Sequence, residues 1–99
     1  MKKKAYSVYD DKACYFMPPF YCNTDAEAVR VFGMAVKDPE SSLSQIPKDI
    51  VLYRIGEFDD NTGLFAPESP APLSRGAEHL TTVVSRIGEQ TVEVDTGEV

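Results

Sequence analysis

The chain predicts an α+β fold, with a small antiparallel sheet of two hairpins in ββαββ order and one main helix packed on it. Three observations predict it. Ile55-Gly56-Glu57-Phe58-Asp59-Asp60-Asn61-Thr62-Gly63 reads as the end of a strand, an acidic turn, and a glycine supplying the positive φ that a hairpin of this length uses. Ala5 to Tyr9 alternates in β-prone residues, with Tyr6 and Val8 on one face and Ala5, Ser7 and Tyr9 on the other. Thr24-Asp25-Ala26-Glu27 is a capping box that opens an amphipathic helix.

The elements follow in order. After the first strand, Asp10-Asp11-Lys12 is a polar turn and Ala13 to Met17 is the return strand. Pro18-Pro19 stops the ladder, because proline has no N–H to donate. Phe20-Tyr21-Cys22 then continues as an extended, buried segment. The helix runs over 24–38, with Ala28, Val29, Phe32, Ala35 and Val36 as its apolar stripe. Asp25 and Glu27 suit the positive end of its dipole, Lys37 the negative end, and Pro39 ends it. Gly33 inside the helix fits a close approach of helix to sheet.

Ser41 to Asp49 reads as a loop with one helical turn near Leu43 to Ile46. Ile50 to Phe58 is the strongest strand and Thr62 to Ala66 its short partner. Pro67 to Pro72 reads as an extended arm or surface linker. Ser74 to Leu80 suits a short helix, and Thr81 to Val84 suits a strand. Residues 88–99 contain four carboxylates and no Lys or Arg, the pattern of a mobile acidic tail. The expected organisation is a core domain over residues 1–66, a Pro-rich arm with a further short element over 67–87, and the tail over 88–99.

At 99 residues the chain suits one domain whose core is small, so a second copy covering the free sheet face or an exposed edge is a natural partner. No apolar run reaches the roughly 18 residues of a membrane helix. Met1-Lys2-Lys3-Lys4 has the charge of a signal-peptide start, but Tyr6 to Lys12 is too polar for its apolar core. The expectation is a cytoplasmic protein with Cys14 and Cys22 as reduced thiols.

Chemistry is sparse. His79 is the single histidine and reads as solvated or capping, with nothing in the spacing to pair it with Cys14 or Cys22. Asp59 to Gly63 lacks the alternate ligands and closing Glu of a calcium loop, and Asx-turn chemistry accounts for it. Gly33, Gly56 and Gly63 are too scattered for a phosphate loop. No enzyme, metal or cofactor is expected.

Binding is the better expectation. The net charge of −6 argues against a protein that coats nucleic acid by charge alone. That charge is unevenly spread: residues 1 to 37 sum to +2 and residues 38 to 99 to −8. The basic front end mixes Lys2, Lys3, Lys4 and Lys12 with Tyr6, Tyr9, Tyr15, Phe20 and Tyr21, of which Tyr6, Tyr9 and Tyr15 are the expected stacking residues. Lysines on phosphates beside rings on bases are the parts of a single-strand site, and exposed tyrosines serve protein interfaces equally well. Either Tyr6 or Tyr9 is expected to be exposed, since they lie on opposite faces of one strand.

The order of motifs resembles the small nonstructural protein of gokushoviruses, the single-stranded DNA phages of the Microviridae. The resemblance rests on Lys3-Lys4-x-Tyr6-Ser7-Val8-Tyr9-Asp10, Pro18-Pro19-Phe20, Ala28-Val29-Arg30-x-Phe32 and Ala35-Val36-x-Asp38-Pro39. It continues through Leu52-Tyr53-x-Ile55-Gly56-Glu57-Phe58-Asp59-Asp60 and Thr62-Gly63, covering residues 1 to 66. It implies a DNA-binding protein outside the virion that acts in the infected bacterium and helps switch replication from double-stranded to single-stranded synthesis; the front-end lysines and tyrosines favour single strands. It supplies no catalytic residues. The alternative is a non-catalytic adaptor that engages a host or phage replication protein through its acidic half.

Overall fold

The computed structural model describes residues 1–87 and 90–95, with side chains as far as Leu80. The elements are β1 (Lys2–Asp10), β2 (Tyr15–Phe16), β3 (Phe20–Cys22), α1 (Asp25–Lys37), β4 (Ile50–Asp59), β5 (Phe65–Arg75), β6 (Thr81–Ile87) and β7 (Gln90–Asp95). Short 3-10 turns occupy Ser42–Gln45, Pro47–Asp49 and Gly76–His79. The α+β class holds: β1 to β5 form one antiparallel sheet, and α1 packs on one side of it.

β1 lies inside the sheet. β4 pairs along its whole length on one side, while β2 and β3 share its other side. β2 and β3 are one return strand interrupted at Pro18-Pro19. Tyr9 pairs with Phe16 and Tyr6 with Phe20, so three steps on β1 face four on the return strand. The prolines take up that extra residue where no ladder bond is required.

The second hairpin is longer than its sequence suggests. Asp59 Oδ1 accepts from the Asn61 N–H at 2.9 Å, the Gly63 N–H donates to the Asp59 carbonyl at 2.8 Å, and Gly63 has φ +78°. Beyond this turn, Pro67, Pro70 and Pro72 belong to β5 and do not form a linker. Among the described residues β5 pairs with β4 alone, so these prolines sit on an edge strand, where a missing donor costs little and further pairing is discouraged.

The helix begins as expected, with one difference. Thr24 Oγ1 accepts from the Glu27 N–H at 3.1 Å, but Glu27 reaches back to the Asn23 N–H, at 3.0 Å, one residue before the cap. Ala28, Phe32 and Val36 meet Tyr6, Val8, Ile50 and Leu52 in the core. Gly33 is needed for contact with a turn, not with the sheet. A Cβ there would stand 2.6 Å from His79 Nδ1.

β6 and β7 pair with each other as a separate antiparallel ladder. Gln90–Asp95 is thus a strand, although the sequence there reads as tail, because its β-branched Thr91, Val92 and Val94 suit a ladder once β6 offers a partner. The rest of the expected acidic tail, residues 88–89 and 96–99, lies outside the described residues.

Candidate functional site

Directly paired residues of an antiparallel ladder share a face, so the register sorts the sheet into two surfaces. Under α1 lie Tyr6, Val8, Phe20, Ile50, Leu52 and Arg54. On the opposite surface, Tyr9 pairs with Phe16 and Val51, Ser7 with Tyr53, Ala5 with Tyr21 and Gly56, and Lys3 with Phe58. β5 adds Phe65 opposite Phe58 and Arg75 opposite Val51. Among the described residues, no helix packs on this second face.

Six aromatic residues occupy the helix-free face, in two groups. Phe16 lies 4.8 Å from Tyr9 and 5.5 Å from Tyr53, centroid to centroid. Tyr21 lies 5.6 Å from Phe58. Phe65 covers Gly56, where a Cβ would come within 2.7 Å of its ring. Between the groups the floor is made of Ala5, Ser7 and Gly56, all buried and all small. Phe16 and Tyr21 are each 44% exposed, so their rings are available to a ligand.

Charge divides between the faces in the same way. None of the paired positions on the helix-free face among the described residues is Asp or Glu, and Lys3 and Arg75 are its charged members. Asp10, Glu57 and Asp59 take the alternate positions, on the side of α1. The sheet therefore turns an uncharged and basic aromatic surface outward on a chain of net charge −6.

The residues singled out by sequence do not all gather here. Tyr9 and Lys3 do. Lys2 and Lys4 face the other way, opposite Asp59 and Glu57, which offset their charge. Tyr15 pairs with Asp10 at the sheet margin and is 55% exposed, and Lys12 is exposed in the neighbouring turn. Tyr6, expected as a stacking residue, lies in the core instead. It is fully buried, and its hydroxyl donates to Asp25 Oδ1 at 2.8 Å. Burial, and then that hydrogen bond to a carboxylate, push its phenol well above the usual tyrosine range.

Asp25 also accepts from Arg54 Nη1 at 2.7 Å, and Arg54 Nε donates to Glu68 at 3.1 Å. These contacts tie the first turn of α1 across β4 to β5, a structural role. Tyr53 and Phe58 join the site only through pairing of the distant strands β1 and β4, while Phe16 and Phe65 come in through the two hairpins. The local signal available for them was aromatic content on predicted strands.

The remaining chemistry is structural. His79 is half-buried against Phe32, with ring centroids 5.5 Å apart, and is neither solvated nor a helix cap. Its Nε2 lies 2.8 Å from Ser74 Oγ, which also approaches Glu78 Oε1 at 3.3 Å. Nε2–H donating to Oγ, with Oγ–H donating to Glu78, satisfies both contacts. Ser74 is only 6% exposed, so this trio offers no accessible nucleophile. Cys14 and Cys22 are free thiols, and burial, followed by nearby Glu27, raises the Cys22 pKa. A cleft of about 340 Å³ by the second turn is lined by Lys2, Glu57, Asp59, Leu64, Phe65 and Ala66, without histidine or cysteine. Among the described residues, no helix is long and apolar enough to cross a membrane.

No curated protein and no solved structure matches this chain. A protein family does, over residues 3–84, which takes in the whole five-stranded sheet apart from Lys2. The chain belongs to the Phage ORF5 protein family.

Proposed function

We propose that this protein is a non-catalytic phage accessory protein that binds single-stranded DNA during viral genome replication, through the helix-free face of its sheet. The observation that carries the reading is that face itself: exposed rings without a carboxylate at its paired positions, on an acidic chain. Rings that project from a sheet stack on unpaired bases whatever their identity, and cations beside them meet phosphates. Lys3 and Arg75 supply those cations, with Lys12 at the margin. Duplex DNA offers such a surface no exposed base plane.

Within the phage family, the resemblance of the ordered motifs over residues 1 to 66 supports a place among the nonstructural proteins of gokushoviruses in the Microviridae. It acts in the cytoplasm of the infected bacterium, outside the virion.

Fluorescence anisotropy of labelled single- and double-stranded DNA at two salt concentrations tests the proposal. Single strands should bind more tightly. With two to three phosphates contacted, log affinity should fall against log salt with a slope of about −2. Absence of single-strand binding at low salt would overturn the proposal and favour the adaptor that engages a replication protein.

A further inference from the structure

The helix-free face is not one continuous platform, and we infer that it holds two separate base seats joined by a saddle. This inference rests on the single-strand reading above. Phe16 caps the first seat, over Tyr9 and Tyr53. Tyr21 and Phe58 form the second. The saddle of Ala5, Ser7 and Gly56 has no ring to offer a base, and Phe65 closes over Gly56 from the β5 side.

The register sets the spacing of the seats. The first seat begins at Tyr9 and the second at Tyr21, which pairs with Ala5 at the saddle's edge, four residues along β1 from Tyr9. At the rise of a β-strand that separation is about 14 Å. A stacked strand rising about 3.4 Å per nucleotide covers it in roughly four steps, and a splayed strand needs fewer. The ligand is thus a single strand of about three to five nucleotides, with its first and last bases stacked and the middle ones crossing the saddle.

The charges fit this placement. Lys3 lies opposite Phe58 at the second seat. Arg75 lies opposite Val51, and Val51 opposite Tyr9, at the first. Each seat therefore has one ring cluster and one cation. Neither presents a row of buried hydrogen-bond donors to read base edges, so recognition is indifferent to sequence.

The test is a length series of oligothymidylates, from dinucleotide to decamer, titrated against the wild type, Phe16→Ala, Tyr21→Ala and the double variant. Both residues are partly exposed, and thermal unfolding checks that each variant folds as the wild type does. Affinity should rise steeply up to about four nucleotides and only gradually beyond. Each single variant should lose about 5- to 100-fold on the tetramer, and the double variant should lose more than either. For the dinucleotide, which reaches one seat at a time, each single variant should lose little, because the other seat remains. If one single variant binds the tetramer as the wild type does, the two-seat arrangement is overturned while single-strand binding stands. If the wild type binds no single strand of any length, both fall.

Discussion

The two faces of the sheet are built from the same strands and meet different demands. Under α1, Tyr6, Ile50, Leu52, Phe32 and Val36 are almost wholly removed from water. Across the sheet, Phe16 and Tyr21 stay nearly half exposed, and no helix among the described residues covers them. Apolar burial accounts for the first face, since each large side chain there contributes about 1.5–3 kcal/mol to stability. It does not account for the second, where large rings remain in water and carboxylates are missing from every paired position. Large rings left in water in two clusters on one face point to a ligand. The comparison assigns stability to one side of β1 and recognition to the other.

Substitutions on opposite sides of a strand should therefore have opposite signatures. The largest effect is expected at Leu52, which is 0% exposed. Leu52→Ala should cost about 2–5 kcal/mol in chemical denaturation, without changing DNA affinity under conditions where the variant is folded. A matching loss of affinity by the folded variant would mean that the faces are not separate.

The lysine run sharpens the comparison further. Lys3→Ala should weaken single-strand binding and reduce the salt slope by about 0.7. Lys4→Ala, on the other face opposite Glu57, should leave both unchanged. Equal effects at the two positions would return the site to a simple basic tail.

Tyr6 provides a smaller contrast. Tyr6→Phe keeps the ring in the core and removes one donor to a partly solvated Asp25, which Arg54 continues to serve. A loss of about 1 kcal/mol in stability is expected, with DNA affinity unchanged in anisotropy. A large affinity loss would place Tyr6 in the binding site, against its burial.

The sequence showed that two faces exist, and physical reasons hid which was which. The alternation of Tyr6 and Val8 against Ala5, Ser7 and Tyr9 was plain, as were the Thr24 cap and the Gly63 turn. Alternation says nothing about which face a helix will cover. In β4 it also misleads, because Tyr53 and Phe58 have opposite parity and yet share a face. The register shifts between Ala5 and Tyr6, leaving Ile55 as an extra residue, and β4 changes parity there. Gly56, inside an apolar strand, was the local sign of that bulge. β5 was hidden for another reason. Three prolines argue against a strand unless it is known to be an edge, and edge position is a property of the assembled sheet.

The smallest expected effect concerns the turn that closes the helix-covered side. Burial, chiefly, lowers the His79 pKa below its ordinary value. The folded state then binds fewer protons than the unfolded state as pH falls. The stability contribution is complete above about pH 6.5 and declines as pH drops through that value toward the lower folded pKa. Thermal unfolding at pH 7.5 and 5.5 should show this decline, and His79→Gln should reduce it. An unchanged difference in the variant would assign the pH dependence to other groups.

The most direct test of the account is an NMR titration of the folded protein with a short oligothymidylate, following the aromatic resonances. The account predicts progressive shifts at Phe16, Tyr21, Tyr53 and Phe58, while Phe20 and Phe32 under the helix stay in place. Shifts confined to α1 or to the acidic half, with the helix-free rings unmoved, would contradict it.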